Sequence, residues 1–234
     1  MVYVGKTRKI LDNKKMHSVQ HSKPVDLRLK CNFSMIVCGA SNCGKTTWVY
    51  NLLRKRENVF NSPLGDVVWF YKIWQDSYEK NKDVVSRYEQ GMCTMDWLEN
   101  KSRPNMTVVI DDMAMEATED TAKIFTAGCH HFKVNVIFIS QNLFPKNRFF
   151  RDIALNTTYL VLFKSVVDKM QIKTFSVRYM PGKSNIFMDI YNSATKKPHS
   201  YLLLDNHQET EENYRILSNY LEENSNPVSI WSYQ

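Results

Sequence analysis

The chain has 234 residues, 43% of them apolar and 24% charged, which suits a folded globular protein and excludes collagenous, low-complexity and disulfide-scaffold classes. At this length it fits one ordinary domain, or a large one with appendages, and it buries enough surface to fold without disulfides. The net charge of +7 is concentrated at one end: Lys6, Arg8, Lys9, Lys14, Lys15, Lys23, Arg28 and Lys30 stand against only Asp12 and Asp26.

Residues 1–30 are therefore read as a basic arm, polar and weakly patterned. Such an arm suits a polyanion, either nucleic acid or an acidic membrane surface, while the plainer reading is a solvated terminus that aids solubility. Phe33 to Cys38 is a short apolar run that reads as a strand. Lys45 to Arg56 has helical spacing, with Trp48, Val49, Leu52 and Leu53 on one face. Asp66 to Tyr71 is a second strand, introduced by the turn signal Asn61-Ser62-Pro63-Leu64-Gly65. Trp69, Phe70, Tyr71 and Trp74 are expected in the core or at its rim.

Residues 76–104 are polar and helical in parts, stopping at Pro104. Thr107 to Ile110 is a third strand, and Thr118 to Gly128 reads as a helix closed by its glycine. Val134 to Ser140 and Tyr159 to Phe163 are the fourth and fifth strands. Val166 to Met180 reads as a helix stopped by Pro181-Gly182, Ile186 to Tyr191 as a shorter one, Ser200 to Leu204 as a sixth strand, and Glu209 to Leu221 as an acidic helix. Short apolar strands alternating with helices indicate an α/β fold with a mostly parallel sheet covered on both faces.

The five cysteines (Cys31, Cys38, Cys43, Cys93, Cys129) are odd in number and form no CxxC pair, which points to a reducing, intracellular setting. No stretch reaches the roughly 18 uninterrupted apolar residues of a membrane span. The opening Met-Val-Tyr-Val-Gly-Lys-Thr-Arg lacks a signal-peptide core. The expectation is a soluble protein inside a cell.

The sharpest motif is Gly39-Ala40-Ser41-Asn42-Cys43-Gly44-Lys45-Thr46, followed by Thr47, which satisfies G-x-x-x-x-G-K-[ST]. Its glycines let consecutive N–H groups point at phosphate oxygens, and the helix behind it offers its positive end. Lys45 can reach the β- and γ-phosphates of ATP, and the Thr46 hydroxyl can hold Mg²⁺. Cys43 lies where a helix N-terminus lowers a thiol pKa, although a small filler is the simpler role.

A phosphate loop needs an acidic partner, and Thr107-Val108-Val109-Ile110-Asp111-Asp112 supplies one. Asp111, the first carboxylate after the apolar run, fits the metal side. Asp112 can deprotonate the attacking water, with Glu116 in reserve, or either aspartate can serve only as a cap or turn residue. Val136-Ile137-Phe138-Ile139-Ser140-Gln141-Asn142 ends a strand in polar amides, and Gln141 there can touch both the γ-phosphate and the water. His130 and His131 lack a metal-ligand spacing and read as a loop or DNA-facing pair.

In this order, Gly39–Thr46, then Val108–Asp112, then Ser140-Gln141, the chain resembles the FtsK–HerA superfamily of DNA-pumping ATPases. The stretch from His130 to Phe144, together with Arg151-Asp152-Ile153-Ala154-Leu155-Asn156, Tyr159 to Lys164 and Asp168 to Ile172, is similar to the poxvirus-type and Polinton-type genome-packaging ATPases. The resemblance covers about residues 33–205. It implies an ASCE/RecA-like P-loop ATPase domain over 31–205, between the basic arm and an acidic C-terminal helix or tail over 206–234. It also implies a homo-oligomeric ring that drives double-stranded DNA into a capsid, with a capsid or portal-vertex protein as a further partner. Its setting would be a host cytoplasm or nucleus, or the virion.

Such rings complete each site with a neighbour's arginine. Arg148, Arg151 and Arg178 are available, and for Arg151 two roles stand open: that finger, or a structural pair with Asp152 or a carbonyl. Two other functions remain beside the motor. One is a nucleotide or nucleic-acid kinase, disfavoured by the lack of an Arg-rich lid. The other is a nucleotide-switched scaffold with poor turnover, kept alive by Asp112 in place of a longer Glu.

Overall fold

The computed structural model describes residues 7–12, 15–20, 25–221 and 228–233. The apolar runs become short strands that are buried along their whole length because both faces of the sheet are covered. In chain order the strands are β1 (Thr7–Asp12), β2 (Lys15–Gln20), β3 (Ser34–Cys38), β4 (Val67–Tyr71), β5 (Arg87–Gln90) and β6 (Thr107–Asp111). They continue with β7 (Asn135–Ser140), β8 (Tyr159–Phe163), β9 (Tyr201–Asp205), β10 (Ile216–Ser218) and β11 (Ser229–Tyr233). Among the described residues they form one eleven-stranded sheet in the order β2-β1-β11-β10-β9-β8-β3-β7-β6-β4-β5.

Six neighbouring strands, from β8 across to β5, run parallel. On the other side of β8 the sheet turns antiparallel through β9, β10 and β11. The helices are α1 (Lys45–Arg54), α2 (Arg56–Val59), α3 (Asp76–Glu79), α4 (Met95–Lys101) and α5 (Glu119–Lys123). They are followed by α6 (Cys129–His131), α7 (Arg148–Leu155), α8 (Lys169–Tyr179) and α9 (Ser184–Ala194).

Alternate strand residues feed two apolar layers. Met35, Val37, Val109, Ile137 and Ile139 pack with Trp48, Val49, Leu52 and Leu53 of α1 on one face. Ile36, Val108, Ile110, Val136 and Phe138 pack with α4 to α9 on the other. Full burial of one such side chain contributes about 1.5–3 kcal/mol, and this is what holds α1 behind the Gly39–Thr46 loop.

Three expectations need correction. The basic arm, read as weakly patterned, is part of the sheet where it is described: β1 pairs antiparallel with β2 and parallel with β11, which covers backbone groups that β11 would otherwise leave open at an edge. Lys6, Lys14 and Lys23 lie outside the described residues. Leu27 and Leu29 are buried in the core, so residue 30 does not separate an arm from a domain.

The acidic helix expected over Glu209–Leu221 is instead a 3-10 turn at Glu212–Tyr214 followed by β10. Ile216 and Leu217 are drawn into the sheet between β9 and β11, and that pairing overrides the local helical propensity. The sheet therefore also continues past residue 205. Finally, Gly128 does not close its helix. It keeps helical angles (φ −61°, ψ −41°) and passes α5 through a π-turn at Ile124–Gly128 into α6.

Candidate active site

The strands bearing the motifs end in one row. Register pairs Cys38 of β3 with Ser140 of β7, and Ile139 of β7 with Asp111 of β6. β7 thus stands between the loop-bearing strand and the carboxylate-bearing strand, and the crevice beyond their carboxyl ends is where open α/β sheets bind ligands. Next to that row lies a cleft of about 700 Å³, floored by Thr46, Thr47, Tyr50, Asn51 and Arg54.

The loop leaves β3 through Gly39, whose N–H donates to the Ser140 carbonyl at 3.2 Å. Glycine is required there by space: a Cβ would lie 2.6 Å from the Phe163 Cβ and 2.8 Å from the Cys43 Sγ. Asn42 (φ 60°) and Gly44 (φ 103°) take left-handed conformations that curl the chain back on itself. Gly44 gives α1 no side-chain cap, so the helix presents its amino-terminal N–H groups and positive dipole end to the loop. Ala40, Ser41 and Cys43 complete the turn, with the Cys43 N–H donating to the Ala40 carbonyl at 3.3 Å.

Lys45 is 8% exposed and donates through Nζ to the Gly39 and Ala40 carbonyls at 2.7 and 2.9 Å. Burial pushes the Cys43 thiol up, against the pull of nearby Lys45. This corrects the expected lowering by the helix end and leaves Cys43 as the filler packed against Gly39.

Asp111 is 5% exposed, and its Oδ2 accepts a 2.9 Å hydrogen bond from the Tyr78 hydroxyl. Burial pushes its carboxyl up to about 6; the Tyr78 hydroxyl and Lys45 oppose that rise, and neighbouring Asp112 adds to it. Asp112 is not extended. It sits at φ 55°, exposed, with its N–H on the Ile139 carbonyl at 3.0 Å. Its carboxylate accepts from Gln141 Nε2 at 2.6 Å, while Gln141 Oε1 accepts from the Ser41 hydroxyl at 3.1 Å. Gln141 therefore bridges the phosphate-type loop and the second carboxylate.

The donor set at the ends of these strands can be tested against Mg²⁺. Thr46 and Asp111 offer hard oxygens, and no group of three or more His, Cys, Asp or Glu residues forms a protein-only cage among the described residues. That fits an ion that keeps waters and takes phosphate oxygens as its remaining ligands.

Other candidates fall outside this row. Glu116 is tied to Lys72 in an ion pair. Arg151 is exposed on α7 and makes no ion pair with Asp152 or any other described residue. Arg148 lies over the Phe149 ring at 4.5 Å and Arg178 over Phe144 at 5.9 Å. His130 and His131 are exposed at the end of α6, by the start of β7 and so at the opposite end of that strand from Gln141. Trp69 and Phe70 are buried, and Trp74 is a half-exposed rim residue.

Two residues at the site had no local signal. His199 Nδ1 lies 3.1 Å from the Cys43 carbonyl, and a Cβ on Gly44 would approach the same ring nitrogen at 3.2 Å. Tyr78 reaches Asp111 from α3, the short helix after β4. Both arrive through tertiary packing of segments far away in sequence.

This arrangement is the α/β P-loop NTPase fold. No protein-family model and no curated protein matches the sequence. Solved structures match by shape. The genome packaging NTPase B204 of Sulfolobus turreted icosahedral virus 2, in complex with AMP, superposes with TM-score 0.54 over 80% of this chain and 96% of that one, at 12% identity. B204 of Sulfolobus turreted icosahedral virus, described as a DNA-packaging ATPase, gives TM-score 0.52 over 78% and 96%, also at 12% identity. The AMPPCP complex of the former gives 0.51 over 76% and 95%, at 12% identity. At this identity the likeness is one of fold. No helix among the described residues is long and apolar enough to cross a membrane.

Proposed function

We propose that this chain is an ATP-hydrolysing motor of the FtsK–HerA type that translocates double-stranded DNA into a viral or virus-like capsid. The observation that carries the reading is the single row formed by the Gly39–Thr46 loop, Gln141 and Asp111 at the carboxyl ends of β3, β7 and β6. The fold shared with genome-packaging NTPases supports it.

Loop amides and Lys45 bind the β- and γ-phosphates, exchanging the Gly39 and Ala40 carbonyls for phosphate oxygens. Thr46 and Asp111 are the residues that would hold Mg²⁺, which when bound neutralises phosphate charge. Asp112 accepts a proton from water as that water attacks the γ-phosphorus and the bond to the ADP oxygen breaks. Gln141, already linked to both Ser41 and Asp112, reports the change to the loop. In a homo-oligomeric ring, exposed Arg151 is the residue assigned to the neighbour's site. DNA contacts would fall mainly on phosphates and be indifferent to sequence. A capsid or portal-vertex protein is the further partner, in a host compartment or the virion.

A second reading, a nucleotide-switched DNA scaffold, is favoured by one observation: the Asp112 carboxylate is already engaged by Gln141. Steady-state ATP hydrolysis with and without linear duplex DNA separates the two. The motor predicts DNA-stimulated turnover that falls at least about a hundredfold in Lys45→Ala, the scale of losing one charge-stabilising donor. ATP binding without turnover selects the scaffold, and turnover indifferent to DNA rejects the translocase.

A further inference from the structure

We propose that Tyr78 is a positioning residue that fixes the carboxylate of Asp111 for the metal side of the site. The inference rests on the nucleotide-binding reading above. Tyr78 is 1% exposed, and its hydroxyl donates to Asp111 Oδ2 at 2.9 Å. A carboxylate on a strand end can still rotate about its side-chain bonds, and a donor held rigidly on one oxygen selects one rotation. Partners of this kind orient metal-side groups and commonly change metal affinity or activity by roughly 10–100-fold when removed.

Tyr78 is itself held from several directions. Its ring lies 5.4 Å from Tyr88 at an interplanar angle of 29°, and 5.4 Å edge-on from Trp74. The Tyr88 hydroxyl donates to the Tyr78 carbonyl at 3.1 Å and lies 3.3 Å from the Tyr50 hydroxyl. Tyr50 stacks on Trp69 at 4.5 Å, which ties this aromatic box to α1 and β4 together.

The segment that carries Tyr78 also faces the cleft. Gln75, Ser77 and Asn81 line it together with His199 and Tyr201. The Ser77 hydroxyl oxygen is buried with no hydrogen-bond partner among the described residues. Asp111 is thus bonded to a segment that also lines the cleft, and Tyr78 is the link between the two.

The test uses the full chain, a non-hydrolysable ATP analogue, and Mn²⁺ read by electron paramagnetic resonance. Tyr78→Phe keeps the ring and removes the hydroxyl; it is expected to weaken Mn²⁺ binding to the analogue complex by roughly 10–100-fold, while analogue affinity in chelator stays within about twofold. Tyr159→Phe removes a buried hydroxyl at the opposite end of the sheet, where it accepts from the Lys30 N–H at 2.8 Å, and should leave Mn²⁺ affinity unchanged. In an Asp111→Asn background, Tyr78→Phe should have no further effect on Mn²⁺, because the two residues act as one unit.

Equal Mn²⁺ affinity in wild type and Tyr78→Phe overturns the proposal, as does full additivity with Asp111→Asn. Failure of the wild type to bind the analogue at all overturns the nucleotide reading instead. If Tyr78→Phe does not fold, tyrosine difference absorbance during Mn²⁺ titration reads the same contact. A band present in wild type and lost in Asp111→Asn supports the link, and a band that survives that substitution overturns it.

Discussion

Asp111 carries a burial cost that its hydrogen bond does not cancel. Its folded carboxyl protonates at about 6, against 3.8 for the ordinary group. Between those values the folded state binds more protons than the unfolded one, so this group's contribution to stability falls as pH rises through the window. Above pH 6 the whole cost stands, about 3 kcal/mol. In chelator-treated protein, Asp111→Asn is therefore expected to be more stable than wild type at neutral pH, with the gain vanishing below about pH 4. Urea unfolding at both ends of the window checks this, and an equal effect at both would exclude buried charge as its source. At the same scale, the loop was legible in sequence because phosphate chemistry dictates its spacing. Gly39 has no room for a Cβ, and Gly44 sits in the left-handed region. Tyr78 was not legible: it stands 33 residues from Asp111 and meets it only after β4 and β6 have paired.

Among the elements, α7 depends on one side chain at its start. Asn147 accepts from the Phe149 and Phe150 N–H groups at 2.9 and 3.3 Å. Its amide also donates to the Met115 and Ala117 carbonyls at 3.1 and 2.8 Å, binding α7 to the segment that follows Asp112. Asn147→Ala removes a cap and leaves those carbonyls short of a donor, so a loss of about 1–3 kcal/mol is expected in urea or thermal unfolding. A change below about 0.5 kcal/mol would mean that the crosslink is not maintained in solution. Phe150, Ile153 and Ala154 are buried at helical spacing behind this cap, a pattern readable in the sequence that the arginine-bearing stretch obscured. β5 had no such pattern. Arg87 to Gln90 is a half-exposed edge strand, made of residues whose local preferences do not select a strand. The buried strands of the parallel core were legible because continuous apolar runs bounded by turns allow few alternatives. The segment after residue 205 misled because its acidic composition favours a helix that tertiary pairing overrules.

For the molecule as a whole, the proposed DNA binding is expected to depend most on the charge concentrated in residues 1–30. Deleting residues 1–24 spares buried Leu27 and Leu29 while removing Lys6, Arg8, Lys9, Lys14, Lys15 and Lys23. The truncated chain should keep its helical circular dichroism, bind duplex DNA more weakly, and show a shallower dependence of affinity on salt. A slope equal to that of the full chain would assign DNA binding to another surface. The same region has a consequence for how the chain is made. β1 runs alongside β11, pairing Thr7 with Ser229 and Leu11 with Tyr233 across almost the whole sequence. Contacts so distant in sequence close the largest loop the chain has and are slow to form. On the ribosome β1 and its neighbour β2 emerge long before β11 exists. The β1–β2 pair must therefore wait while the parallel core assembles behind it, and the earliest strands to be translated are among the last to be zipped onto the rest of the sheet.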